Sequence, residues 1–216
     1  MQKILLAAAL TLGVGAHAAA DDDLWFGVKA GTLGLGLEAT WRPVPYLDLR
    51  AGYNAFSYED SRDEAGIAYD GELDLSTGFV TANLRMPLSP FRVTAGVFSN
   101  GNEVVLNSRD GDSFVIGSTT YQAADLGRLE ARSKFDSVAP YAGVGLDFRV
   151  ADTVGISLDA GVLFQGDANV VVNATGPIAT DPTFQNELDV ERQELEDAIS
   201  DYEHYPVVSL AFTVNF

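Results

Sequence analysis

Cysteine is absent from the 216 residues, which excludes a disulfide framework, thiolate metal sites and a cysteine nucleophile. Basic residues are scarce: 13 Lys+Arg stand against 31 Asp+Glu, a formal net charge of −18. That balance argues against a nucleic-acid partner, because phosphate binding needs clustered cations. Histidine is confined to His17 and His204. Beyond residue 20 no run approaches the ~20 consecutive apolar residues of a transmembrane helix. What remains is 47% hydrophobic with 21 glycines, far too apolar for an acidic disordered tail.

The first residues follow an export pattern. Met1-Gln2-Lys3 is a short positive start, and Ile4 to Val14 is apolar except for Thr11 and Gly13. Ala16-His17-Ala18 and Ala18-Ala19-Ala20 offer small-residue cleavage sites, followed at once by Asp21-Asp22-Asp23. This predicts a secretory signal peptide over residues 1–20 and a mature domain over 21–216. The apolar run is too short to span a bilayer.

The rest of the chain alternates. Val154, Ile156, Leu158, Ala160, Val162 and Phe164 share one parity, against Gly155, Ser157, Asp159, Gly161 and Gln165 on the other. Segments 47–54, 91–97, 141–149 and 206–216 repeat the device. Alternation of this length predicts half-buried β-strands. A soluble sandwich would turn the oily face inward, whereas a membrane barrel turns it to lipid. The connections choose between them. Tight turns at 42–45, 87–90 and 150–153 alternate with long polar stretches at 58–71, 99–134 and 166–204. Short periplasmic turns and long extracellular loops are the mark of an outer-membrane barrel.

Strands are expected over 33–42, 46–57, 73–86, 90–98, 136–149, 153–165 and 205–216. Single-chain bacterial barrels carry even numbers, so Leu24–Ala30 supplies the eighth. Its parity slips against the next strand at Gly31-Thr32, which is read as a tight hairpin. The predicted fold is thus all-β: a transmembrane antiparallel up-and-down barrel of eight strands. Asp181-Pro182 forms an N-cap followed by a proline, and Phe184, Leu188, Leu195, Ile199 and Tyr202 recur at helical spacing. They predict a helix over 182–202 in the last extracellular loop, either a lid on the mouth or a structural cover.

Several segments resemble the CarO-like small outer-membrane proteins, a family of eight-stranded barrels. They are Ala30-Gly31-Thr32-Leu33-Gly34-Leu35-Gly36, Tyr121-Gln122-Ala123 after Ile116-Gly117, Ala139-Pro140-Tyr141-Ala142-Gly143-Val144-Gly145 and Val162-Leu163-Phe164-Gln165-Gly166, with the acidic segment before the final strand. The resemblance implies outer-membrane location in a Gram-negative bacterium and passive uptake of small basic amino acids such as ornithine. A chain closing on Phe216, with apolar residues at alternate preceding positions, also resembles the signal by which the barrel-assembly machinery recognises its clients.

The interior parity carries the candidate lumen residues Lys29, Glu38, Arg42, Asp48, Arg50, Asp74, Arg85, Arg92, Asp147, Arg149 and Asp159. In an eight-stranded barrel, just wide enough for its own side chains, such nearly matched charges are expected to pair. An ionic plug is therefore set against a conducting path. Arg42, Arg50, Arg85, Arg92 and Arg149 would girdle the periplasmic end, to attract anions or simply to pair with Asp48, Asp147 and turn carbonyls.

Outside, Glu59, Asp60, Asp63, Glu64, Asp70 and Glu72 crowd one loop, and 181–203 adds nine acids against Arg192. Such a field concentrates cations, or serves solubility and divalent-ion bridges to lipopolysaccharide. His204 lies near Ser200, Asp201 and Ser209 but lacks the spacing of a lipid A-modifying centre, and it sits between Tyr202 and Tyr205 as an interfacial residue would. No catalytic residue, metal or cofactor is assigned.

The functional expectation is a narrow channel for small cationic solutes, set among outer-membrane lipids and lipopolysaccharide. Its alternative is a closed structural or surface-interaction barrel. Deleting Phe216 is expected to lower outer-membrane levels and heat-modifiable mobility on gels; normal assembly would remove the residue from the insertion signal.

Overall fold

The computed structural model describes residues 24–64, 67–108, 113–116, 119–151 and 153–215, with side chains described except at 62–69. The proposed signal peptide and Phe216 lie outside the described residues, as do the side chains of Asp63 and Glu64.

Alternation produces strands that pair with their chain neighbours. The elements run β1 (Leu24–Gly31), β2 (Gly34–Val44), β3 (Leu47–Glu64), β4 (Ile67–Arg85), β5 (Phe91–Asn100), β6 (Glu103–Ser108), β7 (Ser113–Ile116), β8 (Thr119–Gln122), α1 (Ala123–Leu126), β9 (Leu129–Lys134), β10 (Val138–Ala151), β11 (Val154–Phe164), β12 (Asn169–Ala174), α2 (Pro182–Ile199) and β13 (His204–Asn215). Strands β1, β2, β3, β4, β5, β10, β11 and β13 pair in that order, all antiparallel. The sheet closes where Trp25 to Gly31 of β1 meet Asn215 to Ser209 of β13. This is the eight-stranded up-and-down barrel that the alternation predicts.

The first hairpin turns at Gly31–Gly34, where the parity slips. Gly34 holds φ +93°, and a Cβ there would sit 2.5 Å from the Ala55 carbonyl oxygen. Only glycine tolerates both.

One face of the barrel is an apolar belt. Phe26, Val28, Leu37, Leu49, Val80, Val97, Val144, Leu158, Leu210 and Phe212 are all exposed, as lipid-facing residues are when no lipid is present. Trp41, Tyr46 and Phe148 stand near the short-turn end, with Tyr53 and Phe164 near the other, the placement of interfacial aromatics. The opposite parity, from Asp48 and Arg50 on β3 to Ser157 and Asp159 on β11, is buried inside.

The long polar stretches are not open loops, which corrects three expected boundaries. β3 and β4 contain 18 and 19 residues, whereas a tilted strand needs only ~9–11 to cross. Tyr58–Glu64 pairs with Leu73–Ile67 well above the barrel. Strands β6, β9 and β12 then extend the same sheet sideways from the outer half of β4. Outside the bilayer both faces tolerate polar residues, so the lipid-facing alternation fades while the strands continue.

The sheet forks at Ser76. Below it, Thr77 to Arg85 pair with β5; above it, Asp74 to Tyr69 pair with β6. The Gly101 amide donates to the Ser76 carbonyl at 2.8 Å, and the Ser76 amide donates to Asn102 Oδ1 at 3.1 Å. These bonds hold the chain as it leaves the barrel for the outer sheet.

Helix α2 starts where its cap predicts. The Asp181 carboxylate accepts from the Thr183 and Phe184 amides at 2.8 and 3.2 Å. Phe184 and Leu188 then bury themselves against Phe114, Ile116 and Leu126 in a second small core outside the barrel. β7 and β8 form a separate hairpin beside it.

The register has a direct test. Leu158→Arg, at a lipid-facing position, is expected to cost ~2–4 kcal/mol in unfolding from bilayers if it lies near the midplane. Asp159→Asn, one residue on, is expected to act through interior pairing instead, so equal effects would disprove the facing.

Candidate functional site

The interior fills in three tiers. The lowest is ionic. Lys29 meets Glu38 at 3.6 Å, Glu38 meets Arg50 at 3.7 Å, and Arg50 donates to Asp159 at 3.1 Å. Asp159 continues to Arg92 at 2.6 Å, and Arg92 to Asp147 at 3.0 Å. Asp147 then reaches Arg85 at 3.1 Å, Arg85 reaches Asp48 at 3.3 Å, and Asp48 reaches Arg42 at 3.5 Å. Nine charges alternate in sign along one unbroken path contributed by β1, β2, β3, β4, β5, β10 and β11.

Arg92 is its centre. Its side chain is 0% exposed, and it also donates to Asn83 Oδ1 at 3.1 Å and Thr94 Oγ1 at 2.8 Å. Ser157 donates to Asp147 at 2.7 Å. Room for the guanidinium comes from Gly145, where a Cβ would lie 2.6 Å from Arg92 Cζ. Burying charge without partners is costly, so inward arginines from one set of strands require inward carboxylates from another.

Above the ions lies an aromatic tier. The Phe79 and Phe98 rings stack at 5.2 Å, Phe98 tilts against Tyr141 at 5.1 Å, and Leu33, Leu163 and Val207 close around them. Lys29 Nζ stands 4.6 Å over the Phe79 ring and joins the two tiers. The third tier is made of amides and a hydroxyl. Asn54 donates to Thr77 at 3.0 Å, Asn100 donates to Gln165 at 3.3 Å, and Gln165 donates to the Tyr202 carbonyl at 2.8 Å.

At the short-turn end a vestibule of 400 Å³ is lined by Trp25, Arg42, Arg85, Asp147 and Arg149 among others. Arg42 and Arg149 lie over the Trp25 ring at 4.6 and 5.6 Å. The expected arginine girdle is therefore split: Arg42, Arg85 and Arg149 line the opening, while Arg50 and Arg92 sit deeper within the ionic tier.

Asp74 is not a lumen residue, and this corrects the sequence reading. On β4 the inward parity belongs to Leu75, Thr77, Phe79, Thr81 and Asn83. Asp74 has the opposite parity, lies above the fork and pairs across strands with Ser57 and Glu103. There it holds the fully exposed Glu72 carboxyl above the ordinary range by like-charge repulsion.

The acidic set falls on the outer hairpin of β3 and β4, where Glu59 faces Glu72 and Asp60 faces Gly71. Asp63 and Glu64 are paired by backbone with Ala68 and Ile67. His204 is on the outward parity of β13, edge-on to Phe164 at 5.4 Å, whereas Ser209 is buried on the inward parity. Ser200 donates its hydroxyl to the Asp197 carbonyl at 2.8 Å. These residues do not converge on a nucleophile and base.

The aromatic tier was not anticipated from sequence. Its signal is a local failure of alternation: Phe79-Val80, Val97-Phe98 and Val162-Leu163-Phe164 are apolar on both parities. Such runs mark strand ends whose two faces are both oily, one towards lipid and the other towards the plug.

The ionic tier makes a quantitative prediction. Arg92→Met takes one of two arginine partners from each of Asp147 and Asp159 and is expected to destabilise the barrel by up to about 3–5 kcal/mol in denaturant titrations. Adding Asp159→Asn is expected to return part of that loss. Simply additive losses would show that the two side chains are not coupled.

No protein-family model and no curated protein sequence matches the chain. Solved structures do. Acinetobacter baumannii CarO2 superposes with a TM-score of 0.60 at 20% identity, covering 90% of this chain and 98% of that one. Acinetobacter baumannii CarO gives 0.58 at the same identity and coverage. With its closed eight-stranded barrel, its lipid-facing belt and this match along nearly its whole length, the chain has the fold of a CarO-like small outer-membrane barrel.

Proposed function

We propose that this chain is an outer-membrane barrel sealed along its axis, which anchors an extracellular sheet and helix and works at that outer face rather than conducting. The observation that carries the reading is the stacking of the three tiers. Arg92, Ala139 and Leu163 are each 0% exposed, and ionic, aromatic and amide layers succeed one another along the axis. Eight strands leave an interior that side chains fill. The chain is exported by residues 1–20, inserted by the barrel-assembly machinery, and set among lipids and lipopolysaccharide. It is not an enzyme, a reading supported by the opposite facing of His204 and Ser209.

A second reading is supported by the outer charge. Glu59 opposite Glu72, and Asp74 opposite Glu103, form an acidic face that raises the local concentration of cations. On that reading the barrel admits small cationic solutes such as basic amino acids when the plug rearranges.

Single-channel recording of the purified protein in planar bilayers, with ornithine added, separates the two. The sealed barrel is expected to give no discrete steps. Cation-selective steps would overturn it, above all if neutralising Glu59, Asp60, Asp63 and Glu64 together reduced them at low salt. Salt would blunt that difference, because the Debye length falls from ~8 Å at physiological ionic strength to ~3 Å at 1 M.

A further inference from the structure

The outer sheet has two chemically distinct faces. On β4, β6, β9 and β12 one parity carries Leu73, Leu75, Val104, Leu106, Ala131, Ser133 and Val170, while the other carries Glu72, Asp74, Glu103, Arg132 and Lys134. The charged face looks outward, and the apolar face looks towards α2. The helix answers with one apolar stripe, but only its first half is packed. Phe184 and Leu188 are buried in the second core, whereas Leu195 and Ile199 are half-buried and Tyr202 is exposed. Between that second half and the sheet lies a cavity of 450 Å³, lined by Leu73, Leu106, Val170, Leu195, Ile199 and Tyr202 among others.

We infer that this cavity binds a neutral, mostly apolar small molecule carrying a single hydrogen-bonding group. Its size falls within the ~300–1,000 Å³ of small-molecule sites, and apolar walls with few polar groups are their usual lining. The polar group is indicated by Ser133. The residue lines the cavity, and its hydroxyl oxygen is buried without a hydrogen-bond partner among the described residues. Turned into the cavity, that hydroxyl would be satisfied by a ligand hydroxyl or carbonyl, and leaving such a group unpaired is costly.

Charge selects against ionic ligands. The carboxylates nearest the cavity are already engaged: Glu103 with Arg132 and with Lys134 at 3.1 Å, and Glu196 with Arg192 at 2.8 Å. A cationic head would find them occupied. An anionic head would find Arg132 on the lining already held by Glu103 and Glu130, in a chain of net charge −18.

The inference rests on the reading that the chain works at its outer face, and it adds the ligand class. The test is methyl NMR of full-length protein in lipid nanodiscs, with Ile, Leu and Val methyls labelled and 2-naphthol added at pH 7. Saturable shifts are expected at Leu73, Leu106, Val170, Leu195 and Ile199. Lipid-facing Leu158 and Leu210 should move only linearly, as the probe partitions into the bilayer. Ala131→Trp should abolish the saturable component while heat-modifiable mobility is retained, and Leu106→Trp should do the same if the first variant fails to assemble.

Charged 2-naphthoate should bind at least tenfold more weakly. Equal binding by naphthoate would overturn the neutral class. The absence of any saturable shift would overturn the site, and would do so without touching the sealed barrel, whose own test is conductance.

Discussion

Closing a sheet on eight strands fixes a circumference, and above the short-turn vestibule that circumference leaves an interior that side chains fill. A buried inward charge must therefore find its partner on a different strand within a narrow tube. The nine-charge path from Lys29 to Arg42 is the result. Arg92 on β5 is held by Asp147 on β10 and Asp159 on β11, and Arg50 on β3 reaches the same Asp159. Glycines at the inward positions belong to the same constraint. Tyr141 could not lie flat along the inner wall if Gly143 and Gly161 carried side chains, since a Cβ at either would lie 2.5 Å from its hydroxyl oxygen.

The constraint ends where the barrel does. Above Ser76 the sheet no longer has to close, so β4 exchanges β5 for β6 and the surface opens into a flat extension. Relief from the lumen also frees the parity rule. On the extension, the face continuous with the barrel interior carries Leu73 and Val104 and meets a helix rather than a plug. The face continuous with the lipid belt carries acids and meets water. The two surfaces of a single sheet thus exchange polarity on passing out of the bilayer.

That exchange explains what was legible in the sequence. Barrel strands were readable because lipid on one side and paired charges on the other write a strict period of two, from Val154 to Phe164 and from Pro206 to Val214. The hairpin at Gly31 was readable as a slip in that period, and helix α2 from its cap and its stripe. Strands β6, β9 and β12 were not readable, because they are short and alternate with the opposite meaning. Asp74 was misplaced for the same reason: an acid was read as inward, as it is within the barrel, whereas above the fork the charged parity is the outward one. The chain of ion pairs was legible as an inventory of charges but not as an order, since the partner of each arginine depends on strand stagger.

The order of the ionic path bears on how the barrel assembles. Arg50 and Asp159 are 109 residues apart, and the seam joins the first and last described strands. Contacts of such long range are slow to form, because loop-closure entropy must be met before they contribute. The β2–β3 hairpin can pair Arg42 with Asp48 and Arg50 with Glu38 by itself, but β4 and β5 bring inward Arg85 and Arg92 without an inward acid, and Asp147 and Asp159 arrive only with β10 and β11. A partly built sheet must therefore keep its arginines and carboxylates hydrated, and water leaves the interior only when the seam closes. Insertion and desolvation become a single late event, so an incomplete barrel remains too polar within to settle in the bilayer.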